Sequence, residues 1–140
     1  MKNAKPSVFL TYVTYHDDIA HEHTHLFKLL RILLGDADRD GLLKRNAEHL
    51  VEFLGLLERH HATEDALLQV LCPGTMFAHV QAHTEMTETT KKLLAQADSL
   101  SGQLFVTKVQ EIRTMLHHHV ATLDHELASI VNGECRVEQD

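Results

Sequence analysis

The sequence predicts an all-α protein, an antiparallel up-down-up-down four-helix bundle that forms a single domain over residues 1–140. The chain has only two prolines and six glycines, and most of them lie between segments of apolar periodicity. Within each segment, apolar residues recur at spacings of three and four, which is typical of amphipathic helices. The links between segments are short, and short links favour antiparallel neighbours. A length of 140 residues provides for one core.

The first predicted helix covers 17–34 and stops at Gly35, after a short N-terminal arm. The second covers 40–71 and stops where Pro73 removes a backbone donor. Both apolar stripes are interrupted by polar residues: His23 on the first, and His60 (or His61) and Glu64 on the second.

The third predicted helix covers 75–97, and a turn rich in serine and glycine follows it. The fourth covers 103–131 and ends before Gly133, so that a short C-terminal tail remains. The polar residues on these two stripes are His79, His83 and His119.

Composition excludes several classes of function. Aspartate and glutamate outnumber lysine and arginine by 20 to 13, and the net charge of −7 opposes binding to nucleic acid. The longest apolar-looking stretch, 26–34, contains Lys28 and Arg31 and is too short to cross a membrane. Residues 1–13 lack the pattern of a secretion signal, so we expect a cytoplasmic protein. The two cysteines, Cys72 and Cys135, are then expected to be unpaired thiols.

Histidine is the unusual feature of the composition, with 13 in 140 residues. Histidines 79 and 83 form a His-x-x-x-His pair, and His60 with Glu64 forms a His-x-x-x-Glu pair. Residues four apart on a helix differ by about 40° and rise about 6 Å, so both can bind one ion. Chance alone yields such pairs in a chain this rich in histidine, but these lie on apolar faces. A metal ion removes the cost of burying them there.

The fourth helix offers three consecutive histidines, His117, His118 and His119, and two carboxylates, Asp124 and Glu126. No histidine lies four residues before either acid. The closest spacing is the five residues from His119 to Asp124, which corresponds to about 140° on an ideal helix. Joint binding of an ion by these two residues implies a local distortion, such as a π-bulge.

Together these motifs resemble those of the hemerythrin family of non-haem di-iron proteins, over nearly the whole chain. The segment HTHLFKLL, which begins at His23, resembles the first-helix motif of that family. The segment HHATEDALL, which begins at His60, resembles its second-helix motif. The third resembles HVQAH, and the fourth resembles HVATLD, in which histidine precedes aspartate by five positions. The metal ligands that this resemblance implies are His23, His60, Glu64, His79, His83, His119 and Asp124.

Resemblance to hemerythrins implies two iron ions bridged by the carboxylates of Glu64 and Asp124 and by an oxo or hydroxo group. The histidines of the third and fourth helices would complete one iron. Those of the first and second would serve the other and leave an open site for dioxygen. The implied function is reversible dioxygen binding, for storage, delivery or sensing, and this function requires no substrate chemistry.

The oxygen pocket implied by the resemblance includes Leu26, His61 and Met115. His61 departs from the family pattern, because the residue after the second-helix histidine is often aromatic in hemerythrins. The chain also lacks tryptophan, which many members have near the pocket. We hypothesise that His61 speeds autoxidation or assists peroxide chemistry.

Several alternatives stay open at this point. The same centre is compatible with an enzyme, such as a ferroxidase or a reductase of peroxide or nitric oxide. It is also compatible with a sensor whose state is read by an unidentified protein partner. Two Glu-x-x-His motifs are typical of ferritin-like bundles, but here they fall on consecutive helices. The last alternative is a core in which the histidines pair only with carboxylates or waters.

Overall fold

The computed structural model of the protein describes residues 6–36 and 43–131. Its elements are the helices α1 (Pro6–Asp36), α2 (Leu43–Leu71), α3 (Met76–Gln96) and α4 (Gly102–Val131), with a short 3-10 turn at Pro73–Thr75. The predicted all-α class is confirmed.

Each helix packs against two neighbours, so that α1 contacts α2 and α4 while α3 contacts α2 and α4. The α3–α4 interface is the least extensive of these four, and α1–α2 is the most extensive. The bundle therefore has one closely packed side and one looser side.

Among the helices described, none combines the length and apolar content that crossing a membrane requires.

The observed helix bounds differ from the predicted ones mainly at the N-terminus. Helix α1 begins at Pro6 rather than at 17, so most of the predicted N-terminal arm is helical. Proline suits the first turn of a helix because its missing N–H would have no partner there. The predicted start of the second helix, at 40, lies outside the described residues. The bounds of α3 and α4 agree with prediction to within one residue at each end that the structure describes.

The core consists of two apolar clusters. The larger includes Leu30, Phe53 and Phe105, and the smaller includes Leu68 and Leu123. Along each helix, buried polar side chains lie between the positions that build the two clusters. We call this set the polar layer: its members are His23, His60, His61, Glu64, His79, His83 and His119.

Cys72 follows α2 directly and is fully buried. Its backbone N–H donates to the carbonyl of Leu68 at 2.8 Å, and its own carbonyl accepts from the N–H of Thr75 at 3.1 Å. The residue is disulfide-bonded, so the expectation of an unpaired thiol at Cys72 is wrong. The sequence pattern could not show which side chains meet in space. Cys135 lies outside the described residues.

Candidate metal centre

Glu64 occupies the middle of the polar layer and is fully buried. Its Oε2 lies 3.1 Å from Nε2 of His23 and 2.7 Å from Nε2 of His60. Its Oε1 lies 3.0 Å from Nε2 of His83 and 3.0 Å from Nε2 of His119. The two oxygens of one carboxylate therefore face two different pairs of imidazoles, one from α1 and α2 and the other from α3 and α4.

These side chains form two groups, each with three ligand atoms within 4.8 Å of one another. All six residues are buried. We call the first, which includes Glu64, the α1–α2 group, and the second the α3–α4 group. The α1–α2 group consists of His23, His60 and Glu64, and the α3–α4 group consists of His79, His83 and His119.

The donor set fits metal ions better than it fits hydrogen bonds alone. Nε2 of His83 and Nε2 of His119 are 2.9 Å apart. Oε1 of Glu64 lies 3.0 Å from each of these two nitrogens, so three atoms that can bind a metal ion converge there. Nε2 of His60 lies close to Glu64 but lacks the alignment of a hydrogen bond, and it is buried without a hydrogen-bond partner. Buried polar atoms normally have partners, and a cation beside His60 and Glu64 would supply the one that is missing.

Two further carboxylates stand behind the histidines. Nδ1–H of His60 donates to Oε1 of Glu22 at 2.6 Å. Nδ1 of His83 lies 3.0 Å from Oδ1 of Asp65, without the alignment of a hydrogen bond. Such partners fix the ring of a ligating histidine and direct its other nitrogen toward the metal.

Sequence reasoning missed both carboxylates, because neither Glu22 nor Asp65 was among the predicted site residues. Their position next to candidate ligands could have indicated these roles, because Glu22 precedes His23 and Asp65 follows Glu64.

The charges of the polar layer follow from burial and from these contacts. Burial raises the pKa of Glu64, but hydrogen bonds from His119, His23 and His83, together with the close contact of His60, outweigh it and hold that pKa well below its ordinary value. Burial lowers the pKa of His60, while Glu64 and Glu22 raise it by more, so the net shift is upward. The pKa of His79 is lowered by burial and by the nearby His119 and His83. Glu64 is therefore an ionised carboxylate, ready to bind cations.

His61 lies inside the polar layer, against the α3–α4 group. Its ring stacks on that of His83 with centroids 3.9 Å apart and planes 5° from parallel. Burial and the neighbouring His83 lower the pKa of His61 to about 3, so the imidazole is neutral near pH 7. Its Nδ1 is 3.4 Å from the Thr87 hydroxyl, and its Nε2 is buried without a hydrogen-bond partner. The structure therefore places a neutral, incompletely hydrogen-bonded ring beside the metal ligands.

A cavity of about 500 Å³ lies between α3 and α4. His79 and His119 line it, together with Met115, Glu85 and Glu126. The α3–α4 group therefore borders on open space.

The predicted oxygen pocket is not assembled as one cavity here. Met115 lines the space between α3 and α4, but neither Leu26 nor His61 is part of that lining. Leu26 is fully buried within the larger apolar cluster. The shared oxygen-pocket role of these three residues stays a prediction.

Asp124 is the one predicted ligand that the structure does not bring to the others. Its side chain is exposed and it belongs to neither group. Helix α4 is α-helical throughout Gly102–Val131, so the predicted distortion near His119 is absent. Regular winding keeps two residues five apart about 140° from each other. The ligand role of Asp124 stays a prediction.

Comparison with known proteins gives one finding beyond this geometry. The family model of the hemerythrin HHE cation binding domain matches residues 14–131. Neither the curated proteins nor the solved structures give a significant match. The matched region covers most of the chain and includes both ligand groups, most of α1 and all of α2, α3 and α4. The chain therefore belongs to the hemerythrin HHE cation-binding domain family.

Proposed function

We propose that this protein binds dioxygen reversibly at a di-iron centre formed by the two ligand groups. The observation that carries the proposal is the position of Glu64, whose two oxygens face imidazoles of different groups at 2.7–3.1 Å. A carboxylate shared in this way suits two cations held close together. Membership of a cation-binding family supports the same interpretation.

In this proposal Glu64 and the five histidines of the two groups would hold the two ions. Asp124 is kept as a second carboxylate ligand, as the family resemblance implies. When bound, two iron ions supply the electrons that dioxygen takes up on binding and returns on release. Glu22 holds the His60 ring with Nε2 directed at Glu64. The apolar clusters on both sides of the polar layer exclude water from it.

The test is metal analysis combined with absorption spectra of the protein reconstituted anaerobically with iron. We expect two irons per chain, and a spectrum that changes on aeration and returns on degassing over repeated cycles. A chain that binds a single zinc, or no metal, would contradict the proposal. Irreversible oxidation in the first cycle would contradict reversible carriage while leaving the di-iron centre in place.

A second candidate function is a di-iron enzyme, and His61 is the observation that favours it. Its buried Nε2 has no hydrogen-bond partner and lies beside the ligands, where it is placed to hydrogen-bond with a species bound at the centre. If His61 assists proton transfer, we expect the reduced protein to lose reversible dioxygen binding within seconds of exposure to air and to consume peroxide. Replacing His61 by phenylalanine would then prolong the oxygenated form. An unchanged lifetime in His61→Phe would remove this role.

A cytoplasmic location stays a prediction from the sequence. The disulfide at Cys72 weighs against it, because disulfides are rare in the reducing cytosol. Trapping of thiols during denaturing lysis of cells tests this point, because Cys72 is buried in the folded protein. Modification of Cys72 by the trapping reagent would support the cytoplasm, whereas protection until reduction would support an oxidising compartment.

A further inference from the structure

The cavity between α3 and α4 leads from the surface of the bundle to one of its two ligand groups. Its volume is about 500 Å³, far more than the roughly 30 Å³ that one water occupies in the liquid. It lies at the least extensive of the four helix interfaces. His79 and His119 form part of its wall.

The polar side chains of this cavity become more buried toward the ligands. Glu85 is exposed, Glu126 is half-buried, and His79 is buried with 5% of its surface exposed. Glu126 is close enough to His79 to act on the charge of its imidazole. Oxygen and nitrogen donors therefore succeed one another from the surface to the metal ligands.

His79 itself indicates what the cavity leads to. Among the contacts of the described residues, its ring has aromatic contacts with His83 and His119 but no hydrogen bond. Because His79 lines the cavity, its imidazole is accessible to a ligand within that cavity. A cation that arrives through the cavity meets this imidazole at the inner end.

We propose that the cavity between α3 and α4 is the route by which divalent cations enter and leave the centre. This inference rests on the proposed di-metal function. A cation that leaves water needs replacement ligands at each step, and Glu85 and Glu126 supply carboxylate oxygens before the histidines are reached. Two acidic side chains in the wall attract cations and repel anions, so the lining suits the metal itself rather than an anionic ligand.

The experiment measures rates of metal loading and release, with Co²⁺ as the probe. Anaerobic stopped-flow absorbance follows Co²⁺ binding to the metal-free protein, and excess chelator then follows its release. Loss of a carboxylate in Glu126→Gln should slow loading about three- to tenfold at low salt, with a smaller effect at high salt. The matched control is Glu111→Gln, because Glu111 lies exposed on the same helix, 3.7 Å from Lys108 and outside the cavity lining.

A second pair of variants tests the route by size rather than by charge. Thr122 is exposed and lines the cavity, and its hydroxyl donates to the carbonyl of His118. Thr114 makes the same kind of bond to Gln110 on α4 but lies outside the lining. Thr122→Phe should slow loading and release together, about threefold or more, whereas Thr114→Phe should have no effect on either.

The final stoichiometry separates this inference from the proposed function. We expect two Co²⁺ per chain at equilibrium in the wild type and in all four variants. If Glu126→Gln and Thr122→Phe load and release like their controls, the entry route is overturned while the di-metal centre stands. An equal slowing by Glu111→Gln would also overturn it, since a general effect of net charge would then explain the rates. A wild-type endpoint below two would contradict the proposed function itself.

Discussion

The two ligand groups are joined by one carboxylate but differ in their surroundings. In the α1–α2 group, His60 and Glu64 are fully buried, and Glu22 accepts a hydrogen bond of 2.6 Å from His60. In the α3–α4 group, His79 and His119 border on a cavity of about 500 Å³. The comparison shows that one half of the centre is enclosed and held by a hydrogen bond, while the other half, which we call the open half, borders on a cavity.

This difference follows from helix packing rather than from the ligands themselves. The α1–α2 interface is the most extensive in the bundle and the α3–α4 interface is the least extensive. Close packing leaves His60 with no exposed surface, whereas the looser pair of helices leaves space beside His79. The chain therefore uses similar imidazoles in two environments, and substitutions on each side should have unequal effects.

The largest expected effect comes from Glu64→Gln, because Glu64 faces both groups. Breaking a buried ion pair costs about 3–5 kcal/mol, so affinity for both ions should fall at least about 100-fold. Metal analysis after dialysis, with titration calorimetry, measures this loss. Glu58→Gln is the control, since Glu58 is an exposed residue of the same helix. Retention of one ion at wild-type affinity would show that the two groups are independent.

The next effect concerns Asp124, which the family resemblance assigns to the centre and the structure leaves exposed. If Asp124 binds metal, Asp124→Asn should weaken at least one ion about tenfold or more. Calorimetric titration against Asp98→Asn, an exposed aspartate just after α3, measures the difference. Equal affinities in the two variants would remove Asp124 from the ligand set.

A smaller effect is expected from the carboxylates behind the histidines. Glu22→Gln should weaken one ion about tenfold, because the 2.6 Å bond to His60 fixes that ring. Asp65→Asn should have less effect, since its 3.0 Å contact with His83 is not aligned as a hydrogen bond. Competition with a chelator of known affinity measures both. A larger loss of affinity in Asp65→Asn than in Glu22→Gln would mean that the α3–α4 group, rather than the α1–α2 group, depends more on the carboxylate behind its histidine.

The smallest effect concerns the pH dependence of stability through His61. Its pKa is about 3 in the folded protein against an ordinary value of 6.5, so below pH 6.5 the unfolded chain binds a proton that the folded chain does not. Stability of the metal-free protein should therefore fall as the pH falls from 6.5 toward 4. His61→Phe should reduce this loss by on the order of 1 kcal/mol, as measured by urea unfolding at several pH values. If the free energy of unfolding depends on pH in the same way in the wild type and in His61→Phe, water reaches His61 through the open half.

Much of the centre is predictable from sequence because its ligands occupy core-facing positions. His119 is distinguishable from His117 and His118 because it continues the stripe of Leu116 and Leu123, and in the structure it alone of the three is buried. The spacing of residues along one helix is enough to predict such ligands, since helix geometry fixes which side chains face the core.

What the sequence could not supply depends on contacts between helices. The support that Glu22 gives His60 crosses from α1 to α2, and no periodicity within one helix indicates it. The cavity between α3 and α4 arises from how two whole helices pack. The distortion expected around Asp124 was inferred from spacing alone, and it is absent because regular α-helical winding continues through that turn.

The polar layer divides the apolar interior of the bundle into two parts, so hydrophobic contact alone does not run through the whole length of the molecule. Ions that bind there join the two parts by their own attraction for Glu64 and the imidazoles. Because they have no comparable site in the unfolded chain, their binding free energy adds directly to that of folding. Exchange of metal through the open half is therefore also a way of tightening or loosening the fold.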